Sequence, residues 1–385
     1  MRFLHTADWH VGKTLKGRDR LAEQELVLRE IVRIAREHEV DAVLVAGDLY
    51  DSAAPTAAAQ RLVVRTLLGL AQSGIRVVAI AGNHDHAATL DAYRPLAAAS
   101  DITLLGTPRN PTQGGVVEFR TRAGEPVTVA LLPFVSQRFA VRATEIVLNS
   151  PGQNTSAYDG ELRRILAALT SGFRTDAVNL VMAHLTVLNG ALGGGERMAQ
   201  SIFEYAVPAA IFPVDAHYTA LGHLHRRQRI EAASPVHYSG APLAVDFGEQ
   251  ENTPVVCLVE AAPGTPAQVT DVPITAGRRL RTLHGTLDEL GAVDVGEDFL
   301  RVYVREQARA GLREDVLELL PNALEVRIDP EFAAPVTPAR PAGSGARERH
   351  PSELFHEYLT ASGVADERVE ALFALLHDET TGSSA

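Results

Sequence analysis

The sequence has little cysteine and no long apolar segment. Its one cysteine, Cys257, cannot form an internal disulfide, and the apolar run from Pro254 to Val259 favours a buried thiol. No apolar run approaches the ~20 residues that span a bilayer. The segment from Met1 to Thr6 lacks the apolar core of a signal peptide. We therefore expect a cytoplasmic protein without disulfides.

Positive charge is also scarce, because 36 Lys and Arg residues stand against 48 Asp and Glu residues, for a net charge of −12. Non-specific binding to nucleic acid depends on clustered Lys and Arg. The chain is therefore not expected to coat nucleic acid by bulk electrostatics. Any such contact must come from a local basic patch, from bound metal ions or from a partner.

The apolar pattern predicts an α/β fold. Hydrophobic residues make up 46% of the 385 residues, which is enough for a well-buried core. Two helical segments, Leu21–Glu39 and Pro55–Ser73, alternate with the first of six short β-branched runs, which predicts parallel β-α-β units. The six predicted strands are Arg2–Thr6, Ala42–Ala46, Arg76–Ala81, Val127–Leu132, Val178–Ala183 and Tyr218–Leu221.

Five polar fragments follow these predicted strands. They contribute seven candidate metal ligands: Asp8, His10, Asp48, Asn83, His184, His223 and His225. In α/β sheets, ligands bind beyond the carboxyl ends of the strands, so these side chains are expected to meet in one site. The neighbouring glycines Gly47, Gly82 and Gly222 permit the tight turns that such a site needs.

The donor set predicts two metal ions and a hydrolytic reaction at phosphorus. The Asp48 carboxylate can bridge two ions ~3.5–4 Å apart. Carboxylate, amide and imidazole donors without thiolate suit Mn²⁺ best, with Mg²⁺, Fe²⁺ and Zn²⁺ as alternatives. His84 is not needed as a ligand and is predicted to act on the leaving oxygen or the transition state, with Asp85 orienting its ring.

Each fragment alone would more often be a turn or a satisfied polar cluster, and only the five together indicate a metal site. Five histidines outside these fragments are interpreted as core or surface residues: His5, His38, His86, His217 and His237. The run Gly193-Gly194-Gly195 lacks the Gly-Lys-Ser/Thr ending of a phosphate-binding loop and is expected to be a flexible loop.

The rest of the chain predicts three further segments after a first domain of residues 1–275. Residues 276–332 carry their own strands and helix and are interpreted as a small α+β accessory domain. Residues 333–349 are rich in Pro, Gly and Ala, which is typical of a flexible linker. Residues 350–379 form a predicted helix pair that is too small to bury its apolar face alone, and residues 380–385 form a tail that we expect to be disordered.

The five fragments resemble the calcineurin-like metallophosphoesterases, whose motifs are Asp-x-His, Gly-Asp, Gly-Asn-His-Asp, a lone His, and Gly-His-x-His. All five are present without substitution. The sequence around and beyond these motifs is more similar to the bacterial SbcD nucleases, particularly at residues 5–13, 46–51, 238–243 and 247–249. The resemblance implies β-sheets flanked by helices, with an accessory capping domain.

The resemblance also implies an activity and partners. SbcD-like proteins are manganese-dependent DNA nucleases that cut single strands and degrade duplex ends from the 3′ side, as homodimers bound to a coiled-coil ATPase, SbcC. The family roles fall on the seven ligands and on His84, and the dimer contact falls on the helices at 55–73 and 87–99. The carboxyl-terminal helices would bind the ATPase through Leu354, Phe355, Leu359, Leu372, Phe373 and Leu376.

Contact with DNA is assigned to the basic loop after the first ligands, namely Lys13, Lys16, Arg18 and Arg20. Two other functions stay open at this point. The core motifs also fit a phosphatase or cyclic-nucleotide phosphodiesterase, although such an enzyme has little use for the accessory domain and helix pair. A non-catalytic subunit that tethers DNA ends is the third hypothesis, and broken ligand motifs would favour it.

Overall fold

The computed structural model describes residues 1–148, 158–196 and 206–332, together with residues 355, 356, 359, 360, 369 and 373. The chain divides into two compact units, Met1–Ala333 and Ala334–Ala385. Within the described residues, no helix is long and apolar enough to cross a bilayer. The predicted linker at 333–349 and the predicted tail at 380–385 lie outside the described residues.

The strands are short and fall mainly into three sheets. In chain order they are β1 Arg2–Thr6, β2 Thr14–Leu15, β3 Arg18–Asp19, β4 Ala42–Val45, β5 Arg76–Ile80, β6 Ile102–Leu105, β7 Val116–Arg120, β8 Pro126–Leu132, β9 Val178–His184, β10 Thr186–Val187, β11 Ala206–Val207, β12 Tyr218–Gly222, β13 Gln228–Ile230, β14 Val236–Tyr238, β15 Val255–Ala262, β16 Thr265–Pro273, β17 Leu280–Gly285, β18 Phe299–Val304 and β19 Ala323–Ile328.

In the part of the chain that the structure describes, seven α-helices connect the strands. They are α1 Leu21–Glu37, α2 Ala57–Ala71, α3 Ala87–Ala98, α4 Gln137–Leu148, α5 Tyr158–Thr170, α6 Leu287–Gly291 and α7 Leu312–Leu319. Helix α2 begins later than the sequence predicts, because the Thr56 side chain accepts a hydrogen bond from the Ala59 amide and so caps the helix after Pro55.

Two six-stranded sheets form the centre of the first unit. The first has the strand order β16-β15-β1-β4-β5-β6, and the second has the order β13-β14-β12-β9-β8-β7. Strands β1, β4, β5 and β6 run parallel, as do β14, β12, β9 and β8. The predicted parallel β-α-β units are therefore present, and they are distributed over two sheets.

The two sheets pack face to face with helices outside. Phe3, Leu44 and Val78 of the first sheet belong to the same buried cluster as Met182 and Tyr218 of the second. Helices α1 and α2 cover the outer face of the first sheet, and α4 and α5 cover that of the second. Central strands covered on both faces are continuously apolar, which explains the uninterrupted runs in the sequence.

Four apolar residues of α2 belong to the core, and the dimer contact that the family resemblance places on the helices at 55–73 and 87–99 stays a prediction. Leu62, Val63, Leu67 and Leu70 are all buried in the core between α2 and the first sheet. Their helical spacing reflects this packing within the chain, and they offer no surface to a second copy.

The segment predicted as an accessory domain contains a three-stranded parallel sheet, β17-β18-β19, within the same compact unit. Helices α6 and α7 pack on one of its faces around a separate apolar cluster that includes Leu300, Val302 and Val316. Leu280 and Phe299 of this sheet also pack on Leu15 and Phe247, which join it to the double sheet. The domain boundaries at 275 and 332 stay a prediction.

Few residues of the second unit are described. Phe355 and Phe373 stack with ring centroids 4.1 Å apart, and Leu359 is buried. Leu354, Leu372 and Leu376, which complete the proposed partner-binding set, lie outside the described residues. Binding of a partner by this segment stays a prediction.

Candidate metal centre

The seven predicted ligands come together at one end of the two sheets. Strands β1, β4 and β5 are neighbours in the first sheet, and β9 and β12 are neighbours in the second, so their carboxyl ends converge. The loops after β1 and β4 are tied by hydrogen bonds from the Asp8 amide to the Gly47 carbonyl and from the His10 amide to the Asp48 carbonyl, each 3.0 Å long. The site is thus assembled from both sheets.

Four of these residues have left-handed backbone conformations. The φ angles are 54° at Asp8, 44° at His10, 51° at Asp48 and 103° at His223. Such angles are unfavourable for residues with a Cβ and persist where surrounding structure enforces them, often at functional sites. The backbone is therefore strained where it directs these side chains inward.

Asp8, His10 and His225 form the first donor group. Their ligating atoms lie within 4.8 Å of one another, and all three side chains are buried. His10 Nε2 and His225 Nε2 are 3.0 Å apart. The Asp8 carboxylate is fixed by the His223 amide, which donates to its two oxygens at 3.0 and 3.2 Å.

Asn83, His184 and His223 form the second donor group. The Asn83 Oδ1 atom lies 2.9 Å from His184 Nε2 and 2.8 Å from His223 Nδ1. The other ring nitrogen of His184, Nδ1, donates to the Ala46 carbonyl at 2.8 Å. This hydrogen bond places the proton on Nδ1 and directs the Nε2 lone pair toward Asn83.

Asp48 lies between the two groups and serves both. Its Oδ2 atom is 3.7 Å from His10 Nε2 in the first group and 3.5 Å from His184 Nε2 in the second. Its Oδ1 atom accepts a hydrogen bond from the His84 amide at 2.8 Å. One oxygen is therefore held by the backbone while the other faces both donor groups, as a bridging carboxylate requires.

The donor atoms fit divalent cations. A separation of 3.0 Å between the imidazole nitrogens of His10 and His225 is close to that of neighbouring ligands each ~2.1 Å from one ion. Without a cation or a shared proton, two facing lone pairs would repel. The mixture of carboxylate, amide and imidazole donors suits a hard or intermediate ion, because no thiolate contributes among the described residues.

The two carboxylates of the site have opposite pKa shifts. Burial raises the pKa of Asp8 to about 7, against the opposing effect of His225 and His184. Burial acts in the same direction on Asp48, but the nearby His184, His10 and His84 outweigh it and hold the pKa of Asp48 well below its usual range. Asp48 therefore stays ionised, as expected of the residue shared by two cations.

The pKa values of four histidines in the site also shift in opposite directions. Burial and the charge of His184 lower the pKa of His223 to about 3, and burial and His225 lower the pKa of His10 well below its usual value. Burial also disfavours charge on His184 and His225, but Asp48 and Glu249 respectively overcome it and raise both pKa values to about 9. Cations must displace protons from His184 and His225 in order to bind.

His84 lies beside the donor groups, with its ring centroid 4.6 Å from that of His10. Its Nδ1 atom is 2.7 Å from the backbone carbonyl oxygen of Asp51, which fixes the ring. The role predicted for Asp85 differs from what the structure shows. The Asp85 carboxylate accepts hydrogen bonds from the amides of Gly82, Leu49 and Tyr50, so it braces the loops after β4 and β5.

The predicted basic patch is smaller than the sequence suggests. Lys13 pairs with Asp51 at 3.2 Å, and Lys16 pairs with Glu325 of the accessory sheet at 3.2 Å, while Arg18 is exposed on the β2–β3 hairpin. Arg20 is only 2% exposed. Its assignment to DNA contact is wrong, because its guanidinium is consumed by internal hydrogen bonds.

Three residues near the ligands escaped the sequence analysis as parts of the site. Glu249 contacts the His225 ring, Glu196 accepts a hydrogen bond from the His225 amide at 2.9 Å, and Asp51 supplies the carbonyl for His84. Glu249 and Asp51 both carried a signal, since residues 247–249 and 46–51 belong to the segments that resemble SbcD nucleases, whereas Glu196 carried none. The contact of Asp51 with His84 is made by the backbone carbonyl, so the type of its side chain does not indicate it.

Comparison with known proteins agrees with this geometry. The family model described as calcineurin-like phosphoesterase matches residues 1–226. The SbcD subunit of the SbcCD nuclease of Bacillus subtilis (strain 168) is 38% identical over 305 residues, covering 77% of this chain and 76% of that protein. The namesake proteins of Rhodobacter capsulatus and Escherichia coli (strain K12) are 36% and 31% identical, covering 69% and 76% of this chain and 67% and 73% of their own lengths. The chain therefore belongs to the calcineurin-like phosphoesterases and, within them, to the SbcD family of nuclease subunits.

Proposed function

We propose that this chain hydrolyses phosphodiester bonds of DNA with two divalent ions, preferentially Mn²⁺. The observation that carries the proposal is the position of Asp48, whose Oδ2 atom faces donor groups from both sheets. The proposed ligands are Asp8, His10 and His225 for the first ion, Asn83, His184 and His223 for the second, and Asp48 for both.

When bound, two such ions would lower the pKa of a water molecule and neutralise charge on the phosphoryl oxygens. The chain's own contribution is orientation and proton transfer. The Asp51 carbonyl holds His84 Nδ1, so Nε2 is the ring nitrogen for protonating the leaving oxygen or stabilising the transition state. Asp85 holds the loop backbone that carries Asn83 and His84 in place.

The experiment is a nuclease assay on hairpin, blunt-duplex and single-stranded DNA with Mn²⁺ or Mg²⁺, in which Mn²⁺-dependent cleavage is expected. General acid–base groups typically contribute ~10²–10⁴-fold to rate, so we expect His84→Gln to slow cleavage by that order while Mn²⁺ binding persists. His86→Asn is the matched control, because His86 is exposed, caps α3 through Thr89, and can be replaced there by another capping residue.

The outcomes separate the three candidate functions. Hydrolysis restricted to small phosphoesters would replace the proposal with a phosphatase or cyclic-nucleotide phosphodiesterase. Binding of DNA ends without cleavage, at any metal concentration, would favour a tethering subunit. Full cleavage by His84→Gln would remove His84 from the mechanism and leave the metal site in place.

Substrate contact is proposed for Lys13, Lys16 and Arg18, which lie on or next to the β2–β3 hairpin after the first ligands. Such contacts with phosphate position the substrate without reading its sequence. Replacing Lys16 and Arg18 by Ala should weaken DNA binding and reduce its dependence on salt. An unchanged salt slope would exclude the hairpin from the DNA path.

The partner proposal rests on the relatives, which are named as subunits of SbcCD. We place a coiled-coil ATPase of the SbcC kind on residues 350–379, and we propose that two copies of this chain form the complex. Cleavage of single strands and 3′-to-5′ degradation of duplex ends are the proposed activities, with ATP used by the partner. A chain ending at residue 349 should lose the ATPase and keep cleavage of short substrates, whereas retained complex formation would refute this location.

A further inference from the structure

Glu249 lies next to the first donor group and has no role in the mechanism above. We infer that Glu249 is a positioning residue for His225 and that it links the first metal position to the accessory sheet. This inference rests on the proposed function, because it concerns the ions that the seven ligands would hold.

Glu249 is a buried carboxylate with both oxygens engaged. It is 1% exposed. Its Oε1 atom lies 2.5 Å from His225 Nδ1, and its Oε2 atom accepts a hydrogen bond from the Val245 amide at 2.7 Å. A buried carboxylate is costly unless it is fully paired, so this arrangement holds the His225 ring and the turn together.

The contact determines which nitrogen of His225 can bind a cation. With Nδ1 donating to Glu249, the lone pair of the ring is on Nε2, which lies 3.0 Å from His10 Nε2. A carboxylate in this position fixes the tautomer and orientation of a ligating histidine and increases its basicity. Glu249 therefore acts on the first metal position through His225.

Glu196 is a second carboxylate near His225 with a different contact. It accepts hydrogen bonds from the amides of His225, Gly193 and Gly194, at 2.9, 2.6 and 2.8 Å respectively. These bonds hold the backbone of two loops and none of them reaches the imidazole ring. Glu196 thus provides a matched control for the contact between Glu249 and the ring.

The turn that carries Glu249 also contacts the accessory sheet on both sides of this residue. Phe247 is buried against Leu280 and Phe299, and the Arg301 guanidinium lies 5.3 Å from the Phe247 ring centroid. Gln250 Oε1 accepts a hydrogen bond from the Thr282 hydroxyl at 2.7 Å. A shift of the accessory sheet would therefore move the turn and, through Glu249, the His225 ring.

The test is a calorimetric Mn²⁺ titration of the full chain, with unfolding of the metal-free protein measured in parallel. His225→Ala and Asn83→Ala provide the reference patterns for losing the first and the second ion. Glu249→Gln keeps the shape of the side chain and removes its charge. We expect Glu249→Gln to lower the affinity for one ion by about 10–100-fold and to reproduce the titration pattern of His225→Ala.

Glu196→Gln should lower the affinity for that ion less than Glu249→Gln does. Thr282→Val should also lower the affinity for the same ion, by a smaller factor than Glu249→Gln. An unchanged isotherm for Glu249→Gln, equal weakening of both ions, or an equal effect of Glu196→Gln would overturn the positioning role. An unchanged isotherm for Thr282→Val would overturn the link to the accessory sheet. Failure of the unaltered chain to bind two ions would instead refute the proposed function.

Discussion

Arg20 should contribute to stability and not to DNA binding. Its guanidinium donates to Glu23 at 2.8 and 3.2 Å and to the Ala244 carbonyl at 2.5 Å. It also lies 5.6 Å from the Phe299 ring centroid, which connects the start of α1 to the accessory sheet. The perturbation that tests this is Arg20→Met, which keeps much of the packing and removes every hydrogen bond of the guanidinium.

The size of the effect follows from what remains behind. The Glu23 side chain is 15% exposed and would keep one other donor, the Arg278 amide at 3.3 Å. Removing one partner of a buried ion pair costs ~3–5 kcal/mol, because the other charge is left uncompensated. Since Glu23 retains some contact with water, we expect Arg20→Met to lower the free energy of unfolding by about 3 kcal/mol.

Urea denaturation of the metal-free chain measures this loss, and a double-mutant cycle with Glu23→Gln identifies its cause. Glu23→Gln removes the charge that Arg20→Met strands, so the double variant should be more stable than the sum of the single effects predicts. A loss below about 1 kcal/mol would contradict the structural role. A reduced salt dependence of DNA binding in Arg20→Met would restore Arg20 to the DNA path.

Three further predictions concern the metal centre. Gly82→Ala should abolish Mn²⁺ binding at one or both positions, because a Cβ at residue 82 would overlap the Asp48 carboxylate. Gly172→Ala is the control, because a Cβ at residue 172 has no atom within contact distance, and this variant should bind Mn²⁺ normally in the same calorimetric titration. The apparent Mn²⁺ affinity should rise as pH rises through about 9, because His184 and His225 have pKa values of about 9 and must lose their protons before they can bind a cation. A calorimeter would detect the released protons as a binding heat that depends on the buffer. Mn²⁺ at one hundred times its dissociation constant should add about 2.7 kcal/mol to the free energy of unfolding, and so raise the midpoint temperature of thermal unfolding. An unchanged midpoint would contradict binding to the folded chain.

The strands and the donor residues were predictable from sequence because each depends on local order. Short buried strands such as Arg2–Thr6 and Val178–His184 are mostly apolar because both faces are covered, and turn residues mark their ends. The Asp, His and Asn side chains of the site lie at those ends or within a few residues after them. The spacing within each fragment was therefore sufficient to predict that the residues meet.

What could not be predicted depends on distant pairing. Strand β1 is paired with β15, more than 250 residues later, so nothing local shows that the chain forms two sheets that pack on each other. Arg20 follows two lysines and an arginine in a loop and resembles a surface residue. Its burial depends on Ala244 and Phe299, whose positions the sequence around Arg20 does not encode.

The order in which the ligands occur along the chain affects how the protein is made. Asp8 is synthesised more than two hundred residues before His225, and strand β1 obtains its antiparallel neighbour only at Val255–Ala262. A growing chain therefore holds no complete donor set for much of its synthesis. Translation products that stop before residue 225 lack one of the seven proposed ligands, so they cannot form the complete donor set.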